Sequence, residues 1–480
     1  MRRKLAFVLI AAALTATAIR FWRTRNSGQN LVSVILPMEA SIRFEYAVYM
    51  LPRHVTDPFL LLRKALDQKY PGLKLVDELP KNPREMMVSA HLQRAIQQAY
   101  APPSIEMLKV SGNDISDEQG QALQKSEEAF VLEFAHPKAN VWTAMRNADA
   151  LIEGIARDEH GLIFDEETRE AFSPNAWHTK RWGSWHDTVP EMSSQTVIHI
   201  YKKEEYVRAI TLGMKKAGLP DVIVDDFFWS SANQVEHLIN LFCQSLAEGA
   251  SLDKRGTFYL NLRTIQNSAL RNRQLDSLKE NSTGVGFLNL REGVREEGDP
   301  DNRLIQLTFD RYVGVDIHAK RERMLSCFFG WEDKIRTVRH DEQVLEASAK
   351  ARSKLPELHK LFDAGLQPGE FLEVKAPFPA PTGGNEWMWV EVTSWKGSKI
   401  KGLLENQPFN IPDLHSGQIV KVREEDVFDY LWQYSDGREE GNTTGEILKK
   451  MVEATDSEPS ASTARLTQIA SQPSFGCAPD

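Results

Sequence analysis

A chain of 480 residues with 41% hydrophobic and 26% charged residues is an ordinary globular composition, too long for one core, and it predicts about three domains. A formal net charge of −9, with no basic run interleaved with aromatics, argues against a nucleic-acid partner. Cys243, Cys327 and Cys477 lack metal spacing and form no disulfide framework, and the first two sit in apolar contexts that read as small buried hydrophobes.

Arg2-Arg3-Lys4 precedes the apolar run Leu5 to Ile19, and Arg20, Phe21, Trp22, Arg23 and Arg25 follow. About fifteen apolar residues are short for a membrane span and suit the hydrophobic region of a signal peptide. Ala16-Thr17-Ala18 offers a small-x-small cleavage site, whereas the basic far flank and Phe21-Trp22 suit an uncleaved interfacial anchor. Residues 1–30 are therefore read as a signal peptide or an N-terminal membrane anchor. That makes the protein membrane-anchored or exported, at the inner membrane or in the periplasm if bacterial.

Residues 31–125 form a first α+β region. Tyr46 to Leu51 reads as a strand, Asp57-Pro58 caps a helix through Leu66, and Leu73 to Val76 is a return strand after Pro71-Gly72. His91 to Tyr100 reads as a second helix, stopped by Pro102-Pro103. Residues 126–330 form a second region in which the same order repeats. The strand Ala129–Phe134 precedes an amphipathic helix from Asn140 to Ile155, with Val141, Ala144, Met145, Ala148, Leu151, Ile152 and Ile155 on one face, and then the strand Gly161–Asp165. Thr196–Tyr201, a helix from Tyr206 to Ala217, and Asp221–Val224 make the next unit. A helix from Asn233 to Ala247 and strands at Thr257–Leu262 and Leu304–Phe309 follow. Lys320 to Arg323 reads as a solvated charge run. Strands alternating with helices predict an α+β multidomain fold whose N-terminal strand-helix-strand modules are ferredoxin-like or similar.

From Glu386 to Val392 successive side chains alternate, with Trp387, Trp389 and Glu391 on one face and Met388, Val390 and Val392 on the other. Lys396-Gly397 turns the chain into a second strand, Lys399–Leu404, and a Pro-punctuated segment leads to Ile419–Val422 and to Trp432-Gln433-Tyr434. The pattern Glu386, Met388-Trp389-Val390, Val392, Gly402, Asn406, Pro408, Gly417, Val420, Glu424-Glu425-Asp426-Val427, Trp432 and Asp436-Gly437 resembles the YegJ-like family of unknown function (domain of unknown function 2314). The resemblance implies a small β-rich C-terminal domain, placed at 335–450 together with the Pro356-interrupted helix from Asp341 to Phe362. It implies no catalytic residue. Residues 451–480, rich in Ser, Thr, Ala and Pro, read as a disordered tail.

Chemistry-bearing residues concentrate between Asp165 and His186. Asp165, Glu167, Arg169, His178 and His186 form a candidate polar cluster, although the two histidines have no standard ligand spacing. The segment from Phe164 to Trp177 resembles one that accompanies YegJ-like domains in longer chains. Trp387, Trp389, Glu391 and Trp432 form a candidate aromatic and acidic binding face, with core packing the competing reading. No nucleophile elbow, P-loop, dinucleotide loop, HExxH helix or paired-Cys site is present in the sequence, so no catalytic residue, metal or cofactor is expected. The favoured function is non-enzymatic binding or regulation with a protein or peptide partner and membrane association through the N-terminal segment. A hydrolase using the acidic and His residues near 165–186, and an immunity-type protein-binding partner, are the alternatives.

Overall fold

The computed structural model describes residues 39–447 except 53–56, 99, 112, 204–205, 252–256, 280–281, 315, 331–341, 368, 382–384 and 409–410. The expected N-terminal signal or anchor and the C-terminal tail lie outside the described residues. Among the described residues no helix is long and apolar enough to cross a membrane.

Three six-stranded sheets organise the chain, in an α+β multidomain fold. In the first unit β1 (Ser41–Met50) is the central strand. Helix α1 (Pro58–Lys69) starts where the Asp57 side chain accepts the Phe59 N–H at 3.0 Å, and it returns the chain to β2 (Leu73–Leu75). Next come β3 (Met86–Arg94), the short helices α2 (Ile105–Ser111) and α3 (Asp117–Leu123), β4 (Glu128–Pro137) and α4 (Val141–Asp158). The unit closes with β5 (Leu162–Asp165), β6 (Glu170–Phe172) and α5 (Pro174–Lys180). Strand order is β2-β3-β4-β1-β5-β6, with β1 antiparallel to both β4 and β5. The sheet thus draws strands from both the 31–125 and the 126–330 regions. The helix expected from His91 to Tyr100 is not formed. That stretch continues β3 to Arg94, because β4 runs antiparallel beside it from Val131 to Glu128 and pairs with it, and pairing of this kind outweighs a weak local preference.

The second unit holds β7 (Val197–Lys203), β8 (Tyr206–Leu212), β9 (Asp221–Phe227), α6 (Ala232–Ala247), β10 (Thr257–Asn261), α7 (Ser268–Asp276), β11 (Val285–Glu292), β12 (Leu304–Thr308) and α8 (Ile317–Phe329). Their order is β10-β11-β12-β9-β8-β7. The structure overturns the helix expected from Tyr206 to Ala217. Val207, Ile210 and Thr211 are β-branched and sit in β8 between two neighbours, and a 3-10 turn from Met214 to Ala217 follows. Gly213 enters that turn at φ 106°, a left-handed conformation that glycine adopts without strain. The Lys320–Arg323 run is not wholly solvated either. Arg321 is buried in α8, its guanidinium lying over Phe227 and Phe228 while Nη1 donates to the Asp226 carbonyl at 2.6 Å. Two of the three expected strand-helix-strand modules are present, as β1-α1-β2 and β4-α4-β5; the third, from Thr196 to Val224, is instead the antiparallel run β7-β8-β9, and all lie in six-stranded sheets rather than in four-stranded ferredoxin-like ones.

In the C-terminal unit α9 (Glu342–Ala364), with Pro356 inside it, precedes an all-antiparallel sheet. The strands are β13 (Phe371–Pro379), β14 (Asn385–Lys396), β15 (Lys399–Leu404), β16 (Ile419–Arg423), β17 (Asp429–Gln433) and β18 (Glu439–Gly441). Ala351, Leu355 and Leu358 of α9 lie on Leu372, Val374, Val390 and Trp395 in a core of its own, whereas the first two units share one continuous core. Gly402 on β15 lies so close to β14 that a Cβ there would meet the Glu391 carbonyl oxygen at 2.2 Å, which explains the glycine at that hairpin position.

Candidate functional site

The loop between β5 and β6 is built by Asp165. Its Oδ1 accepts the N–H groups of Glu167 (3.1 Å) and Thr168 (3.3 Å), and the Arg169 N–H reaches the Asp165 carbonyl at 2.7 Å. Arg169 itself sits at φ 59° to complete the reversal. That leaves Asp165 Oδ2 facing the neighbouring unit, where it accepts Lys216 Nζ at 2.5 Å and Arg181 Nη2 at 3.0 Å. Arg181 also donates to Thr168 Oγ1 (3.0 Å), Glu170 Oε2 (2.8 Å) and the Ser194 carbonyl. Asp165, Arg181 and Lys216 have 0% side-chain exposure. Burial pushes the Asp165 carboxyl up, but the Lys216 ammonium and Arg181 guanidinium outweigh it and hold the group below its ordinary range. Burial likewise pulls the Lys216 ammonium down against the attraction of Asp165.

A second buried carboxylate joins this seam. Asp149, on the inward face of α4, accepts Tyr46 Oη at 2.9 Å, Trp185 Nε1 at 3.0 Å and Gln195 Nε2 at 3.2 Å. Trp177 fills the space between, edge-on to Tyr46 and Phe172, with Nε1 donating to the Asp149 carbonyl at 2.9 Å. Two cations and several carboxyls are thus enclosed and paired with one another, an arrangement that aligns two units.

The expected polar cluster is only partly assembled. Glu167 stays beside Asp165 and takes the exposed Lys215 at 3.0 Å, and Arg169 donates to the Gly298 carbonyl at 2.8 Å. His178 is exposed and paired with Glu153 at 3.0 Å, and His186 is also exposed, so neither shares an open cavity with the fully buried Asp165. Among the described residues no group of three or more His, Cys, Asp or Glu is arranged to hold a metal ion. Sequence reasoning missed Asp149 and Lys216. Asp149 could have been found as a lone acid inside the apolar stripe of α4, whereas Lys216, beside the exposed Lys215, carries no such signal.

Also missed was a carboxyl patch on the opposite face of the first sheet. Glu45 on β1 stands directly across from Glu133 on β4, Glu166 and Glu167 lie beside them, and the Tyr100 hydroxyl donates to Glu45. Burial, then the neighbouring carboxylates, raise Glu45 to about 8 and Glu166 to about 7.

On the C-terminal sheet the four expected residues divide between two faces. Trp432 is 4% exposed and packs in the core with Met388, Val390 and Val392. Trp387 and Trp389 are half-buried on the other face, Trp387 4.4 Å from the Phe428 ring and Trp389 under the Lys375 ammonium at 5.5 Å. Glu391 continues that face inward, is buried, and is directly opposite Glu373 on β13.

The chain matches no curated protein and no solved structure. Its C-terminal part does have a family: residues 341–461, the segment that carries the tryptophan-bearing sheet, match the family described as "Uncharacterized protein conserved in bacteria (DUF2314)".

Proposed function

We propose that this is a non-enzymatic binding or regulatory protein whose C-terminal sheet engages a protein or peptide through Trp387, Trp389 and Lys375, with the buried Phe428 ring backing Trp387. The N-terminal segment directs the chain to a membrane, and the first two units act as the rigid base. One observation carries the reading: half-buried aromatic rings and an ammonium share the sheet face turned away from the core, while the Asp165 polar groups are consumed in buried ion pairs. Aromatic rings with a cation beside them are the usual anchors of protein interfaces.

The test replaces Trp389 with a photo-crosslinking phenylalanine in the full chain, with exposed Lys421 of β16 as the control position. The expected result is one discrete protein adduct from position 389 and none from 421. Equal labelling at both positions, or no adduct at 389, contradicts the reading. Against an identified partner, Trp389→Ala is expected to weaken binding by about 2 kcal/mol or more, roughly thirtyfold, while unfolding shifts by less than about 1.5 kcal/mol.

A second reading has one observation in its favour. Glu45 keeps its proton near neutrality beside the Glu133 and Glu166 carboxyls, the pairing that general acid-base hydrolysis requires. Turnover of a generic ester, phosphate or glycoside that disappears in Glu45→Gln would establish this reading in place of the first.

A further inference from the structure

The seam between the second and C-terminal units gathers buried carboxyl groups. Glu373 on β13 and Glu391 on β14 are direct cross-strand partners, so their side chains leave the sheet on the same face. Both are buried, at 5% and 3% exposure. Glu405, held by its N–H to the Trp389 carbonyl at 3.0 Å, brings its carboxyl close to that of Glu373. Glu439 on β18 adds a further negative charge to the surroundings of Glu373.

The second unit faces this cluster with two backbone amides and one lysine. Ser230 N–H donates to Glu391 Oε2 at 3.3 Å, Trp229 N–H also bonds Glu391, and Lys202 on β7 acts on its charge. Elsewhere along the seam Tyr206 Oη donates to the Gly417 carbonyl at 3.0 Å, and His415 Nδ1 lies 2.9 Å from Asp316 Oδ2. His318, stacked on Tyr206 at 4.4 Å, lies against Gly417, where a Cβ would meet it at 2.7 Å.

We propose that Glu373, Glu391 and Glu405 form a proton-operated latch, which holds the C-terminal unit on the second unit while the cluster keeps its protons and releases it when they are lost. Burial first, then the neighbouring carboxylates, raise Glu391 to about 8 and drive Glu373 well above its ordinary range. Ionisation sets like charges against one another in a buried interface, and separation of the units hydrates them. The closed form binds more protons than the open form. Closure is therefore complete in mild acid and is lost as pH rises through about 8. Each proton released raises the ratio of open to closed molecules about tenfold per pH unit. The latch shares its sheet face with Trp387 and Trp389 but does not depend on their binding a partner.

Hydrogen exchange read by mass spectrometry on the full chain tests the latch between about pH 6 and 9.5, with rates corrected for intrinsic pH dependence. Peptides covering 226–232 and 413–420 report the seam, a β4 peptide is the internal reference, and Gly417→Ala supplies an opened junction for comparison. The expected result is a relative rise of about tenfold or more in seam exchange between about pH 6 and 8, where Glu391 holds its proton only in the closed form, and no such rise in the triple variant E373Q/E391Q/E405Q. A flat ratio in the native chain overturns the proposal. So does an unchanged rise in the triple variant, which would place the effect outside these carboxyls. If the triple variant does not fold, carbon-13 titration of the native glutamate carboxyls decides: a Glu titrating above about pH 7 and lost in Glu391→Gln supports the latch, and none above that pH overturns it.

Discussion

Replacing Trp177 with alanine is expected to lower the stability of the full chain by about 3–5 kcal/mol. The indole is fully buried, meets Tyr46 edge-on at 5.0 Å and Phe172 at 5.2 Å, and its N–H satisfies the Asp149 carbonyl at 2.9 Å. Its removal opens a cavity at the meeting point of β1, β6 and α4 and leaves that carbonyl without its side-chain donor, so the transfer and desolvation losses add. Urea unfolding should show a lowered midpoint with an unchanged slope. Trp389→Ala, on the half-buried face, should cost less than half as much. A larger loss at Trp389 than at Trp177 would invert the assignment of core and surface made here.

Stability should fall as pH rises from about 5 to 9, an unusual direction for a chain with many surface carboxylates. Glu45 is the main cause within the first unit, raised from 4.5 to about 8 by burial and by Glu166 and Glu133, with Glu166 raised to about 7. A carboxyl whose folded-state pKa lies above its unfolded value binds its proton more tightly when folded. Its contribution is therefore fully present below about 4.5 and is lost as pH climbs through about 8. Glu45 keeps partial contact with water, so the loss is expected to be on the order of 2 kcal/mol rather than the full value of the shift. On the acid side Asp165 acts in the opposite sense: its lowered carboxyl stabilises above the ordinary Asp range and ceases to do so as pH falls through it. The two slopes place maximum stability in mild acid. Thermal unfolding at a series of pH values reads the profile, and Glu45→Gln should flatten its alkaline limb; a native chain most stable near pH 8 would contradict this account.

Much of the architecture was legible where one face of an element is uniformly apolar. The stripe on α4, the Asp57-Pro58 start of α1 and the alternation from Glu386 to Val392 each identify their element because burial and capping act locally. Tyr206–Ala217 and His91–Tyr100 misled because mixed apolar spacing fits both periods, and the partner strand that decides lies far along the chain. The site followed the same divide. Asp165 and Glu167 could be picked from their turn, and Trp387 and Trp389 from their shared face. Lys216 is 51 residues from Asp165, and Glu373 meets Glu391 only through strand register, so neither pairing leaves a mark in local sequence. Trp432 was grouped with the other tryptophans by residue type, whereas its place in β17 turns it to the opposite face, into the core.

The central claim is that the buried Asp165 cluster joins the first two units. A double-mutant cycle on Asp165→Ala and Lys216→Ala, followed by urea unfolding of the full chain, tests it most directly. Each single substitution strands a buried charge and is expected to cost about 3–5 kcal/mol, the double variant is expected to cost little more than either, and the coupling should be about 2–3 kcal/mol. A coupling near zero, or an Asp165→Ala chain that keeps its stability while losing a measurable turnover, would contradict the claim.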